Sequence, residues 1–178
     1  AAAPRGFADV LAAAVAPWRS AHGRVPVLLS GMIGSRQGWL EVPYLDCPAD
    51  AAAIAGGLRR LDVPGLGQVH IVPGLLTRGR NGVTHALPDV MRGEETQILG
   101  ALATSRGRSG LFVLPGTHSK WVAVEDGRIV DFATYMTGEV YAALRAHTIL
   151  GRLMTSDEID ADGFARGVAA AGRAPGPA

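Results

Sequence analysis

Residues 111–145 read LFVLPGTHSKWVAVEDGRIVDFATYMTGEVYAALR, and the order of elements in this stretch decides the fold class. Leu111-Phe112-Val113-Leu114 is a short apolar run of the kind that forms a buried strand. Pro115-Gly116 breaks it, and Thr117, His118, Ser119 and Lys120 follow in a turn. A second strand over 121–124 leads to Glu125-Asp126-Gly127, and Asp-Gly between β-rich runs predicts a tight hairpin. A third strand over 128–135 runs into Thr137-Gly138, after which Val140, Leu144 and His147 fall at helical spacing. Strand, polar turn, strand, tight turn, strand and helix mark a mixed α/β chain.

The first turn has two readings. Gly116 allows close approach of the backbone to a ligand, successive N–H groups cradle an anion, and Thr117, Ser119 and Lys120 add hydroxyls and a positive charge. That is the equipment of a phosphate-binding turn between two strands. The alternative is a hairpin turn whose polar residues satisfy only their own backbone. It is not a P-loop, which needs glycine directly before Lys-Ser or Lys-Thr at the start of a helix.

With 178 residues the chain can bury a sizeable core, in one domain or two small ones. A hydrophobic content of 48% and a charged content of 19% describe an ordinary globular protein. The formal net charge of +1, without a basic cluster, argues against a dedicated nucleic-acid binder. One cysteine, Cys47, excludes an intramolecular disulfide framework and suits a reducing compartment. No His stands near it in sequence, so a packed thiol is favoured over a nucleophile. No apolar run approaches the ~20 residues of a membrane span, and the N-terminus lacks a signal-peptide pattern, so a cytoplasmic protein is expected.

Upstream, Phe7, Val10, Leu11, Ala14, Val15 and Trp18 form one face of an amphipathic helix that Pro17 and Gly23 are expected to end. Residues 25–29 read as a strand, followed by the loop Ser30-Gly31-Met32-Ile33-Gly34-Ser35-Arg36-Gln37-Gly38-Trp39. Ligands of such sheets gather at the carboxyl ends of strands. This loop offers donors, a cation and a stacking face; an acidic sugar would suit it, with Arg36 taking the carboxylate. A structural turn with Arg36 solvated is the other reading. A weak strand over 40–44, a helix over 48–61 and a strand over 68–72 follow. His70 and His85 are isolated, and no spacing of His, Cys and carboxylates suggests a metal site. Asp89, Glu94 and Glu95 stand at or before the head of a helix carrying Ile98, Leu99 and Leu102. Capping accounts for Asp89 and one glutamate, and the second glutamate is placed to act as a general base. Residues 104–110, TSRGRSG, are the best candidate for a hinge. Another short helix is expected from Ser156-Asp157-Glu158, with Phe164 and Val168 on one face, and the last residues have linker composition.

Four segments taken together, SGMIGSRQGW, PDVMRGEETQILGAL, LPGTHSKW and TYMTGEVYAALRAHTILGRLM, resemble the 2-dehydro-3-deoxygalactonokinase family in that family's order. The family belongs to the superfamily of sugar kinases, hexokinase, actin and Hsp70-type ATPases. The resemblance implies two ribonuclease-H-like (actin-like) α/β lobes around a cleft. Residues 1–106 would supply the C-terminal part of the sugar-binding lobe, and 107–178 the N-terminal part of the ATP-binding lobe. It implies transfer of the ATP γ-phosphoryl group, with Mg2+, to the terminal hydroxyl of 2-dehydro-3-deoxy-D-galactonate.

By resemblance, Gly116 and Thr117 match the superfamily's second phosphate loop, with His118, Ser119 and Lys120 beside them. Glu94 best matches the catalytic carboxylate, with Glu95 and Asp89 as alternatives. Ser30, Gly31, Met32, Ser35, Arg36 and Trp39 belong to the acceptor pocket. The expected partners are the sugar acid and ATP, with neither nucleic acid nor membrane, and homodimerisation is left open. The superfamily's Asp-x-Gly-Thr strand turn and its Gly-Gly adenosine segment are not in the sequence, and a two-lobed kinase needs roughly 250 to 330 residues. The chain is therefore expected to be the middle of such a kinase, inactive by itself. Two other readings are a degenerate module that binds a sugar acid without catalysis and a kinase for another sugar.

Overall fold

The computed structural model describes residues 6–79, 87–104, 107–154 and 160–173. The chain divides into two compact units, Ala1–Gly138 and Glu139–Ala178. The lobe division expected at residue 106 falls inside the first unit. His85, the Ser156-Asp157-Glu158 helix start and the final residues lie outside the described part, as do two residues of the expected hinge, 105 and 106.

The described residues of the first unit form a mixed α/β assembly of three small sheets. Helix α1 (Phe7–His22) leads to β1 (Val27–Leu29), which lies parallel to β4 (Gly67–Ile71); β4 in turn pairs antiparallel with β3 (Arg59–Val63). The second sheet is β2 (Leu45–Asp46), β5 (Leu75–Thr77) and β6 (Asp89–Met91), parallel and then antiparallel. The third is the antiparallel meander β7 (Gly110–Leu114), β8 (Ser119–Glu125) and β9 (Arg128–Tyr135). Helix α2 (Ala51–Gly56) precedes β3, α3 (Glu94–Thr104) joins β6 to β7, and α4 (Thr137–His147) follows β9.

The deciding stretch folds in the order read from it. Asp126 and Gly127 take φ of 51° and 80°, the left-handed pair that a two-residue hairpin turn needs. One expectation fails: β7 is an edge strand, with Leu111 and Val113 exposed, while Phe112 and Leu114 pack on the core. Ser119 and Lys120 belong to β8, not to the turn, and both are buried.

Upstream the sequence misled in three places. Pro17 sits inside α1, which runs on to His22; Arg19 Nη1 anchors its last turn to the carbonyls of Gly65 and Leu66, each at 3.2 Å. The weak strand over 40–44 is irregular, and pairing begins only at Leu45. The helix expected over 48–61 is only α2, capped by Asp50 Oδ1 accepting from Ala53 N at 2.8 Å. Leu61 lies in β3 because Gly56-Gly57 stops the helix and the next residues gain a ladder with β4.

The second and third sheets share one core of Ala49, Ile54, Val72, Leu75, Met91, Ile98, Val122, Val124, Ile129 and Phe132. Full burial of a side chain such as Phe132 or Leu75 contributes about 1.5–3 kcal/mol. Polar contacts complete the seam. Ala49 and Ile129 exchange backbone hydrogen bonds, and Thr77 Oγ1 donates to the buried Asp131 Oδ1 at 2.6 Å.

The unit Glu139–Ala178 contains the remainder of α4, a 3-10 turn at Ile149–Leu153 and α5 (Ala161–Ala171). Thr148 caps the 3-10 turn through Leu150 N, and Asp160 caps α5 through Gly163 N at 2.7 Å. Phe164 and Val168 share the expected face of α5, and both are exposed. Among the described residues, no helix is long and apolar enough to cross a membrane.

Candidate active site

A cleft of about 390 Å³ opens in the first unit between the head of α3 and the β7–β8 turn. Arg92, Gly93, Glu94 and Gln97 form one wall, and residues 114–118, Leu-Pro-Gly-Thr-His, form the other. Glu94 thus faces the Gly116-Thr117 turn across a single space. Its Oε2 accepts a hydrogen bond from Arg92 N at 3.0 Å, and its Oε1 has no partner among the described residues.

The turn is braced from beneath. Ser119 Oγ accepts from Gly116 N at 3.3 Å and bonds the hydroxyl of Thr137, which itself donates to Gly116 O at 3.3 Å. Gly138 fits closely here: a Cβ on it would lie 2.8 Å from Gly116 O and 2.9 Å from Thr117 Cα. Pro115, Gly116, Thr117 and His118 remain exposed above this support. Both readings of the turn therefore have a share in it. Ser119 satisfies the backbone, and the residues before it face the cleft.

Glu95 turns the other way and is fully buried. Its Oε2 accepts from Gly93 N at 2.7 Å, and its Oε1 from Thr96 Oγ1 at 3.2 Å and Ser30 Oγ at 3.4 Å. Ser30 Oγ also lies 2.8 Å from Thr96 Oγ1. The end of β1 is thereby tied to the head of α3, and Gly93, at φ 115°, lets Gly31 approach so closely that a Cβ would sit 3.3 Å from Gly31 Cα.

A scan against family models matches the 2-keto-3-deoxy-galactonokinase family over residues 1–178. The chain belongs to that family. It is 44% identical over 170 residues to a Rhizobium meliloti (strain 1021) protein assigned as 2-dehydro-3-deoxygalactonokinase, covering 95% of this chain and 52% of the relative. It is 38% identical over 161 residues to the 2-dehydro-3-deoxygalactonokinase of Escherichia coli (strain K12), covering 90% and 51%. A crystal structure of a Sinorhizobium meliloti protein assigned to the same activity superposes with a TM-score of 0.70 at 44% identity, over 83% of this chain and 46% of that one. The chain spans about half the length of the curated relatives it matches.

In this family member the remaining candidate residues are spread apart. Asp89 is engaged in the sheet seam: its Oδ2 accepts from Thr134 N at 2.6 Å, and its Oδ1 from Thr134 Oγ1 at 2.9 Å and Val90 N at 2.7 Å. Lys120 Nζ donates to Val90 O at 2.8 Å and Thr134 Oγ1 at 2.6 Å, on the same seam and away from the turn. Ser35 closes its own turn through Met32 O and Gln37 N. Arg36, with a side chain 86% exposed, pairs with Glu41 at 3.5 Å. Met32 is exposed, and Trp39 stacks on Phe7 at 5.7 Å. Of the loop after β1, Ser30 and Gly31 alone reach the head of α3 among the residues singled out from the sequence.

Two polar side chains of the cleft, Arg92 and Gln97, are not among the candidates singled out from the sequence. For Arg92 the available signal is a cation between an apolar strand and a helix head. Its Nη2 donates to Val42 O at 2.7 Å, and its guanidinium carbon lies 4.3 Å from the Tyr44 ring centre.

Burial pushes the Glu95 carboxyl above the usual carboxylate range, and the nearby Glu94 adds to the rise; hydrogen bonds from the Gly93 and Glu95 backbone and from Thr96 oppose it. The folded protein then binds this proton more tightly than the unfolded chain. Stability falls as pH climbs from the unfolded-state value through the raised folded one, and levels off above it. Glu95→Gln is expected to remove this slope. Urea unfolding across the weakly acid range checks it, and equal slopes in both proteins would show that Glu95 does not titrate in this way.

Proposed function

We propose that the chain is part of an ATP-dependent kinase that phosphorylates the 6-hydroxyl of 2-dehydro-3-deoxy-D-galactonate. The observation that carries this is the single cleft with Glu94 on one wall and the Gly116-Thr117 turn on the other. The names of the relatives support the same substrate.

Phosphoryl transfer leaves a protein little covalent work; it must position the two reactants and offset charge. Glu94, with Oε1 uncommitted, orients the acceptor hydroxyl and takes its proton. The Gly116-Thr117-His118 turn, held by Ser119 and Thr137, receives the phosphates of ATP. Ser30 and Gly31 bring the loop after β1 to the head of α3, at Glu95 and Gly93 on either side of Glu94 in sequence, and the acceptor enters from that loop. Glu95 and Asp89 are better suited to positioning, because their oxygens are engaged. Mg2+ would enter with the nucleotide, held by its phosphates and by water.

On this reading the folds are those of the actin-like ATPases, with residues 1–106 in the sugar-binding lobe and 107–178 in the ATP-binding lobe. Closure of the lobes would exclude water from the transfer. The test is ADP release by the full gene product with ATP and the sugar acid, with the phosphate position read by 31P NMR. A 6-phosphate is expected. Acid binding without ADP release would instead support a non-catalytic module.

A further inference from the structure

Among the described residues of the cleft, Arg92 carries a charge that no partner explains. Its guanidinium is held between the Tyr44 ring, 4.3 Å from the centroid, and the backbone of Gly34, where a Cβ would lie 3.0 Å from Nη1. Nη2 is satisfied by Val42 O, but Nε and Nη1 are buried with no hydrogen-bond partner among the described residues. No carboxylate pairs with it among the described residues; the nearby Glu94 accepts from its backbone N–H, not from its side chain. Buried donors are almost always paired, and a desolvated cation without a counter-charge is costly. Such an arrangement is expected where an anionic ligand supplies the missing partner.

We propose that Arg92 recognises the carboxylate of the acceptor and so selects a sugar acid over a neutral sugar. The inference rests on the kinase reading above. It commits to the acceptor and not to the nucleotide because the guanidinium lies against Gly34, Val42 and Tyr44, on the side of the loop after β1. Arg36, the cation carried by that loop itself, is solvated and already paired with Glu41. Tyr44 and Val42 O fix the plane of Arg92, which lowers the entropy lost when a carboxylate docks.

The test uses the full gene product with ATP and either 2-dehydro-3-deoxygalactonate or its uncharged methyl ester. In the wild type the acid is expected to have a much lower KM than the ester. Arg92→Met is expected to raise the acid's KM about 30-fold or more, to erase the preference over the ester, and to leave the KM for ATP unchanged. An unchanged acid KM overturns the proposal. So does a rise shared equally by acid and ester, a selective rise in the KM for ATP, or a larger loss of acid preference in Arg36→Ala. If Arg92→Met does not fold, Arg92→Lys decides: a weakened acid preference supports the contact, and a wild-type preference refutes it. Were the wild type to show no turnover, the kinase reading itself would fail; calorimetric titration of acid and ester into wild type and variant would still read the carboxylate contact.

Discussion

Glu94→Gln is expected to lower kcat by about 10²-fold or more while ATP binding is retained. Glutamine keeps the size of the side chain and an oxygen for the Arg92 N–H, so the head of α3 should stand as before. What it lacks is a basic oxygen for the proton of the attacking hydroxyl. Single-turnover kinetics with saturating ATP isolate this step. A near-normal rate would move the base to Glu95 or Asp89, and their geometry makes that costly. Glu95 is fully buried under three hydrogen bonds, and Asp89 is spent on Thr134 and Val90 in the sheet seam.

Gly138→Val should be comparably damaging, for a reason of shape alone. A Cβ at this position would meet the Gly116 carbonyl at 2.8 Å and Thr117 Cα at 2.9 Å. Both are backbone, so the turn must shift bodily. A displacement of about 1 Å at a site that works by positioning costs on the order of 10²-fold. We expect this loss in kcat/KM for ATP, with the acceptor's affinity less affected because Ser30 and Gly31 do not depend on the turn. Gly100→Ala in α3 is the control, since its Cβ meets nothing within 4 Å. Alanine there should stabilise the helix by about 0.5–1 kcal/mol without altering ATP kinetics. Wild-type ATP kinetics in a folded Gly138→Val protein would remove the turn from the nucleotide site.

The sequence by itself determined the local units. Asp126-Gly127 can close a two-residue hairpin because both residues tolerate left-handed backbone, and β8 and β9 follow from it. Apolar spacing in 94–104 and the glutamates of its first turn set α3, and the family segments identified the chain. These are short-range properties, carried by neighbouring residues. Periodicity failed where long-range pairing competed with it. Leu58 and Leu61 fit a helix, yet the ladder with β4 drew Leu61 into β3. Ile129, Val130, Asp131 and Phe132 are all buried, so β9 shows none of the alternation of a half-exposed strand. A register shift at Ala123/Val124 and the second sheet packed beside it account for that.

The site divides in the same way. Glu94 and Gly116 were legible as chemistry, but their meeting across one cleft depends on how β6, α3 and β7 are joined in space. Lys120 looked like a phosphate ligand because it follows the turn in sequence. Strand alternation instead points it to Val90 and Thr134. Arg36 and Arg92 are equally cationic in the sequence. Tertiary packing alone makes one a solvated ion-pair partner and the other a buried guanidinium with donors to spare, because desolvation is set by neighbours that lie distant along the chain.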